Sequence, residues 1–240
     1  MNDHKVHAFI SLAGAANGMF YGPQSTDFMP ALILRDFFSP MMFDKSLIDV
    51  STYTNDDIRS GKLQIDLLKH QMAHPALQSS GTGYQLTMSP IRQLFPTYNT
   101  FMAVINNLHA PDNSAIVADQ QRRKRNFLKL QVAHFYASPQ DETIAPWQSS
   151  VLGQYNDVDS LEELEERFLD LRVLPMDETE AYKLDTYGLR SLDERGGLLI
   201  HVIENISHAC WLMDSVPVGG TEKCEFQPIF EKTLYPLLNA

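Results

Sequence analysis

Hydrophobic positions fall into short continuous runs in some parts of the chain and into a helical spacing in others. Three apolar and β-prone runs, at residues 6–12, 130–136 and 198–203, each lead into a polar or small-residue segment, and each predicts a strand. Helical stretches separate these runs. Strands that alternate with helices are typical of an α/β fold with a parallel sheet. Three strands would make a thin sheet for 240 residues.

The helical stretches carry apolar residues three or four positions apart. They predict helices at residues 29–38, 63–72, 98–107, 121–128, 161–174 and 226–238. The predicted buried faces consist of Phe101, Val104 and Ile105 in the third helix and of Leu161, Leu164, Phe168 and Leu171 in the fifth. No internal repeat and no long linker interrupts the sequence. We therefore expect one domain over residues 1–240, with an irregular helical insertion at 27–107.

Composition and charge narrow the class of protein. Apolar residues make up 44% and charged residues 20% of the chain, as in soluble globular proteins. A net charge of −11 argues against a nucleic-acid partner, because phosphate binding needs local positive charge. No apolar run reaches the roughly 18–20 residues of a transmembrane helix, so no membrane span is expected. The first residues lack the apolar core of a signal peptide, so none is expected in this chain.

Two segments that could carry chemistry each follow a predicted strand. Asp141 comes shortly after the second strand, and His208 comes shortly after the third. In an open α/β sheet, catalytic groups gather where parallel strands end. An acid followed by a histidine also matches the Ser…Asp…His chain order of α/β-hydrolases. Considered singly, Asp141 is more often a turn or capping residue and His208 a loop residue, so neither position identifies a site alone.

Several longer segments, taken in order, resemble the palmitoyl-protein thioesterases, and more closely the second paralogue of that family. The segments are Asp-Glu-Thr-Ile-Ala-Pro-Trp-Gln-Ser-Ser at 141–150, Gly-Gln-Tyr at 153–155, and those at 6–12, 101–107, 123–129, 185–196 and 206–211. The resemblance implies an α/β-hydrolase fold with a mostly parallel sheet and a helical cap at 27–107. It also implies that Asp141 and His208 are the catalytic acid and base, with no cofactor and no metal.

The resemblance further implies hydrolysis of long-chain acyl thioesters, with S-acylated proteins or acyl-CoA-like thioesters as substrates, in the lysosome, the vacuole or the secretory pathway. The family's serine nucleophile stands in a G-x-S-x-G elbow, and no serine of this sequence does; Ser80 lacks the first glycine. We expect that elbow and the first strands to be missing from this chain, which alone would then be inactive. The sequence leaves the oligomeric state open.

Two other functions stay open at this point. One is a non-catalytic remnant that binds acyl groups or proteins. The other is a lipase or carboxylesterase of the same fold. The segments named above do not exclude it, because they do not determine the preference for thioesters over oxygen esters. The first would bind a fatty acyl ligand without turnover, and the second would prefer oxygen esters.

Other candidate sites have simpler explanations. His70 and His74 stand four residues apart on one helical face, as in some zinc sites, but no third ligand is evident. The basic run at 122–125 is more simply a solvated helix face than a nuclear signal or phosphate patch. Asn205 begins a glycosylation sequon that we expect to stay unoccupied. Cys210 and Cys224 could form one disulfide, although packing of Cys210 beside Trp211 is the favoured prediction.

Overall fold

The computed structural model describes residues 5–74, 91, 97, 99, 101–108, 114–218 and 220–239. In the first part, the regular elements are β1 (Ala8–Leu12), α1 (Phe28–Ile33), a π-helical segment (Leu34–Phe38), α2 (Ser39–Met42), α3 (Asn55–Arg59), α4 (Lys62–Ala73), α5 (Met102–Ile105) and α6 (Ser114–Phe127). They continue with β2 (Val132–Ala137), β3 (Gln154–Tyr155), α7 (Leu161–Arg167), β4 (Val173–Leu174), α8 (Glu180–Lys183), α9 (Leu189–Glu194) and β5 (Leu198–Val202). The last elements are α10 (Phe226–Ile229), a second π-helical segment (Phe230–Leu234) and α11 (Tyr235–Leu238). Short 3₁₀ turns at Ser25–Asp27, Val50–Thr52, Trp147–Val151, Phe168–Asp170, Met176–Glu178 and His208–Trp211 connect them.

The central sheet is parallel and has the order β1–β2–β5. Its register places Leu12 opposite Tyr136 and Tyr136 opposite His201. The three strands predicted from apolar runs are confirmed to within two residues at each end, and so is their parallel direction. A separate antiparallel pair joins β3 to β4.

The two faces of β2 enter different parts of the core because alternate side chains of a strand point to opposite sides. Phe135 lies on one face and packs in a cluster with Leu189 and Leu192 of α9. Tyr136 lies on the other face, in a cluster with Trp211 and Leu234 of the C-terminal helical segment. Coverage of both faces explains why β2 is the most buried strand of the sheet.

The helices from α1 to α4 build an apolar cluster of their own. Leu34, Leu63 and Leu67 are each almost completely buried within it. Helices were predicted at 29–38 and 63–72, and both predictions are confirmed. Ser80 lies outside the described residues.

The helix predicted at 98–107 is wrong in extent and in its buried face. Among the residues of this stretch that the structure describes, helical geometry is limited to α5; Tyr98 is not one of them. The side-chain oxygen of Asn99 accepts hydrogen bonds from the amides of Phe101 and Ala103, which places the start of the helix after it. Ala103 is fully buried, while Phe101 and Ile105 of the predicted face are 38% and 41% exposed.

The helix predicted at 161–174 is also too long. It ends as α7 at Arg167, and Val173 pairs with Tyr155 across the β3–β4 ladder. Asn156 fixes this exchange, because its amide and its side-chain oxygen bond the carbonyl and the amide of Arg172. Tertiary pairing therefore outweighs the helical periodicity. The amphipathic face itself is correct, since Leu164, Phe168 and Leu171 are buried together in one cluster.

A disulfide joins Cys210 to Cys224 across 14 residues, with 5.9 Å between the Cα atoms. Packing of Cys210 beside Trp211 was favoured over a bridge, and the structure has both, because Cys210 is completely buried in the same cluster as Trp211. Within the part of the chain that the structure describes, no helix is long and apolar enough to cross a membrane.

Candidate active site

The candidate site lies at the edge of the sheet where the strands end. Because β2 and β5 are parallel neighbours, the loops that follow them leave from the same edge. One more bond extends the ladder, from the amide of Ile203 to the carbonyl of Ala137 at 2.9 Å. Asp141 and His208 therefore start from adjacent points, although they are 67 residues apart in the sequence.

Polar side chains join these two loops. Ser138 is completely buried, and its hydroxyl oxygen accepts hydrogen bonds from the amides of Gln140 and Ile206 at 3.2 and 3.3 Å. The side-chain oxygen of Gln140 in turn accepts from the amide of Asn205 at 2.8 Å. These bonds fix the path of the β5 loop against the β2 loop before the chain reaches His208.

Asp141 is held in a tight turn with one oxygen committed to the backbone. Its Oδ1 accepts the amides of Thr143 and Ile144 at 2.8 and 2.9 Å. The other oxygen, Oδ2, lies 2.9 Å from Nδ1 of His208. The Asp141 side chain is 1% exposed, so this carboxylate is oriented at both oxygens and shielded from water.

His208 is partly exposed, with 36% of its side chain accessible. Burial by itself lowers the pKa of an imidazole, but the hydrogen bond and charge of Asp141, with the charge of Glu142, outweigh it and raise the pKa of His208 above its usual 6.5. Donation from Nδ1–H to Asp141 leaves Nε2 as the proton acceptor. The pair thus has the arrangement of a general base oriented by a buried acid.

A cavity of about 490 Å³ opens beside the pair. Its walls include Ser25, Met29, Glu142, Asn205, Val218 and Lys223. The mixture of apolar and polar groups is typical of small-molecule sites. Asp141 and Ser207, the neighbour of His208, also line this space, so the cavity lies next to the pair.

The segment that ends at Cys224 lines part of the cavity and is anchored to the rest of the site. The Cys210–Cys224 disulfide ties it to the turn that carries His208. Ser215 and Cys224 exchange backbone hydrogen bonds at 2.9 and 2.7 Å, and the hydroxyls of Ser207 and Ser215 lie 2.5 Å apart. The residues on either side of His208 are therefore anchored to the same loop.

Sequence reasoning identified the pair but missed its supporting residues. Glu142 stands in the segment 141–150 and Ser138 and Gln140 come just before it, yet the sequence predicts no role for them. The oxygen Oε2 of Glu142 accepts the amide of His208 at 3.1 Å. The available signal in the sequence is that a second carboxylate, Glu142, directly follows Asp141. Its partner, the amide of His208, becomes apparent only in the fold, where the two loops meet.

The competing candidates do not join this site. His74 bonds the carbonyl of His70 through Nδ1 at 3.0 Å, and no group of three or more potential metal ligands occurs among the described residues. Within the basic run, Arg123 bonds Asn107 and Lys124 pairs with Asp185, so part of the run holds helix α6 in place.

The chain is similar to known proteins of one family. The family model described as palmitoyl protein thioesterase matches residues 1–208 of the chain. Among curated proteins, the chain is 37% identical over 114 residues to lysosomal thioesterase PPT2-B of Xenopus laevis, covering 48% of this chain and 33% of the relative. It is 29% identical over 118 residues to human lysosomal thioesterase PPT2, covering 49% of this chain and 33% of the relative.

A third relative, the lysosomal thioesterase PPT2 homolog of Drosophila melanogaster, is 28% identical over 123 residues, or 51% of this chain and 36% of the relative. The chain thus spans about a third of the length of the curated relatives it matches. All three carry the PPT2 name, which confirms the predicted closeness to the second paralogue, and the parallel sheet with its flanking helices agrees with the predicted α/β-hydrolase fold. This chain belongs to the palmitoyl protein thioesterase family.

Proposed function

We propose that this chain supplies the acid and the base of a serine thioesterase that releases long-chain acyl groups from thioesters. The observation that carries the proposal is the 2.9 Å contact between the buried Oδ2 of Asp141 and Nδ1 of the half-exposed His208. Membership of a thioesterase family supports the choice of reaction.

In the proposed mechanism, His208 moves protons and Asp141 orients it. His208 Nε2 takes the proton of the serine hydroxyl as the serine oxygen attacks the thioester carbonyl. Collapse of the tetrahedral intermediate breaks the carbon–sulfur bond, and the imidazolium returns the proton to the leaving thiolate. Water then attacks the acyl-serine with His208 again as base, which releases the fatty acid and regenerates the serine.

The nucleophile in this proposal comes from outside the 240 residues. No serine of the sequence stands in a G-x-S-x-G elbow, the turn that exposes the nucleophile in this fold. We propose that the elbow and the strands before it belong to a part of the protein not included here. On this proposal the 240-residue chain by itself does not hydrolyse thioesters.

The substrates and compartment are proposed from the family and its relatives. Thioesters of long-chain acyl groups, on protein cysteines or on coenzyme A, are the proposed substrates. The relatives are named lysosomal thioesterases, which supports a lysosomal location. The disulfide between Cys210 and Cys224 also supports an oxidising compartment, because structural disulfides form mainly in the secretory pathway. The helices within 27–107 are proposed as a cap over the acyl group.

The test is hydrolysis of palmitoyl-CoA and of an S-palmitoyl peptide by the native protein that contains this chain. We expect His208→Ala and Asp141→Asn to lower kcat by about 10⁴-fold or more. His7→Ala, at an exposed histidine before β1, is the matched control and should keep full activity. Circular dichroism of each variant shows whether the fold is kept.

Three results would count against the proposal. Full activity in His208→Ala would exclude His208 as the base. Hydrolysis by the purified 240-residue chain that depends on His208 would show that the nucleophile is not outside it. Faster hydrolysis of the p-nitrophenyl ester of palmitate than of palmitoyl-CoA would favour the lipase or carboxylesterase reading over the thioesterase.

A further inference from the structure

Two consecutive carboxylates hold His208 from different sides. Asp141 binds the imidazole ring at Nδ1, and Glu142 binds the main chain, because its Oε2 accepts the amide of His208 at 3.1 Å. The amide of His208 begins a 3₁₀ turn and has no partner within that turn. Glu142 therefore supplies the hydrogen-bond acceptor that the amide of His208 lacks within its own turn.

The position of Glu142 is itself fixed by the turn that it belongs to. Oδ1 of Asp141 accepts the amides of Thr143 and Ile144, which brackets Glu142 in a closed turn. Glu142 is half-buried and lines the cavity beside the pair. A carboxylate in such a place interacts more strongly with a nearby imidazolium than it would in open water.

Several other charged groups around the cavity have partners of their own. Among the described residues, the other charged groups on the surrounding elements are Asp27, Glu204, Asp214, Glu222, Lys223 and Glu225. Lys223 forms an ion pair with Asp214 at 2.7 Å, and Asp27 is buried against Tyr155. Glu204 borders a second cavity beside α10. The carboxylates whose charges act on His208 are Asp141 and Glu142.

We propose that Glu142 is a positioning residue for the Asp141–His208 pair: its carboxylate anchors the backbone of His208 and brings a second negative charge to the pair. The inference rests on the proposed function for its consequence in catalysis. Its consequence for the titration of His208 is independent of any activity. Glu142 would thus set the pH range over which His208 can act as a base.

The first experiment is a proton–nitrogen NMR titration of the histidine rings in the native protein that contains this chain. The His208 signal is assigned by its loss in His208→Asn. Glu142→Gln keeps the size and an oxygen acceptor for the amide but removes the charge, so we expect a lower pKa of His208. Glu222→Gln removes a carboxylate from the same cavity and is the matched control, which should leave the pKa at the wild-type value.

The second experiment separates charge from anchoring in the native protein. Glu142→Gln should shift the acid limb of the kcat/KM profile to lower pH, in the direction of the NMR shift, with little loss at its optimum. Glu142→Ala removes both the charge and the acceptor, and should in addition lower kcat by about tenfold, the order expected for one charge-assisted hydrogen bond. KM should stay nearly constant, because Glu142 is not proposed to bind the acyl group.

The outcomes distinguish this inference from the proposed function. An unchanged pKa of His208 in Glu142→Gln, equal to that in Glu222→Gln, would overturn the role of Glu142 whether or not the protein is a thioesterase. A lowered pKa in a native protein that hydrolyses no thioester would uphold the role of Glu142 toward His208 and reject the proposed function alone.

Discussion

The phenol of Tyr155 donates a 2.6 Å hydrogen bond to Oδ2 of Asp27, which lies 128 residues earlier in the chain. Asp27 also accepts from the amide of Gly22 and from the side chain of Gln24. Because Asp27 directly precedes α1, this contact fastens the start of the helical segment to β3. The buried side chain of Asp27 thus joins the segment that leads from β1 to α1 to the segment that contains β3.

Replacement of Asp27 by asparagine should flatten the pH dependence of stability. Burial raises the pKa of Asp27 to about 6, although hydrogen bonds from Tyr155, Gln24 and Gly22 lower it. A folded-state pKa above the ordinary 3.8 gives a contribution that is complete at low pH and is lost as pH rises through about 6. Between pH 7 and pH 5, the free energy of unfolding of wild type should therefore gain about 1 kcal/mol relative to Asp27→Asn.

Urea unfolding at the two pH values measures this difference. Asp56→Asn is the matched control, because the Asp56 side chain is 98% exposed. That variant should follow the wild-type slope. Equal slopes for wild type and Asp27→Asn would contradict the prediction.

The pair His134 and His201 in the sheet should lower the stability of the fold as pH falls, which is the opposite of the effect of Asp27. Nδ1 of His134 lies 3.0 Å from Nε2 of His201, and the ring of His201 stacks on Tyr136 at 4.2 Å. Burial lowers the pKa of both histidines, and the neighbouring His201 lowers that of His134 further. The unfolded chain therefore takes up protons first as pH falls below about 6.5, and stability is lost over that range.

The double variant His134→Phe/His201→Phe keeps two rings in place and removes both titrations. It should retain more of its neutral-pH stability at pH 5 than wild type does, as measured by the urea midpoint. His7→Phe changes an exposed histidine and should behave as wild type. The idea fails if the double variant loses as much stability on acidification as the parent chain.

Lys124 should matter for stability rather than for ligand binding. Its ammonium group lies 2.7 Å from Oδ2 of the buried Asp185 and also bonds the carbonyl of that residue. Burial raises the pKa of Asp185, but hydrogen bonds from Lys124 and Ser191 outweigh it and lower the pKa overall. Lys124→Met leaves this carboxylate without its cation and should reduce the free energy of unfolding by about 1–3 kcal/mol.

Arg125→Met provides the comparison, because Arg125 is exposed on the same helix. It should change stability by less than about 0.5 kcal/mol. Chemical unfolding of both variants decides the matter. Similar small losses of stability in Lys124→Met and Arg125→Met would instead indicate that the whole basic run at 122–125 is a solvated helix face.

Reduction of the Cys210–Cys224 disulfide should destabilise the chain. A bridge that closes 14 residues is expected to contribute about 3 kcal/mol, mainly by restricting the unfolded chain. Thermal unfolding with and without a reductant measures the loss. The double variant Cys210→Ala/Cys224→Ala should start at the lower stability and show no response to reductant; a wild-type transition insensitive to reductant would exclude this contribution.

The strands and the proximity of Asp141 to His208 could be predicted because their signals are local. Continuous apolar runs predicted the three strands, and the order of Asp141 and His208 after two of them predicted their proximity. Parallel strands bring their ends to one edge, so position along the chain was enough. Neither residue identifies a site alone, because aspartates are common in turns and histidines in loops.

The errors lie where a distant partner decides the local structure. Residues 161–174 have helical periodicity throughout, yet pairing of Val173 with Tyr155 turns the last part into a strand. The contact from Glu142 to the amide of His208 joins residues 66 positions apart and leaves no periodic trace. The disulfide was one of two options for Cys210, because spacing does not show which loops meet in space.

The contact between Asp141 and His208 depends on the register in which β2 pairs with β5. A slip of one residue between these strands would move His208 by about 3.3 Å relative to Asp141 and turn every side chain of β5 to the opposite face. The 2.9 Å contact would then be lost, together with the bonds that Ser138 and Gln140 make to the following loop. A chain with a misaligned sheet would therefore lack the contact between Asp141 and His208 on which the proposed activity depends.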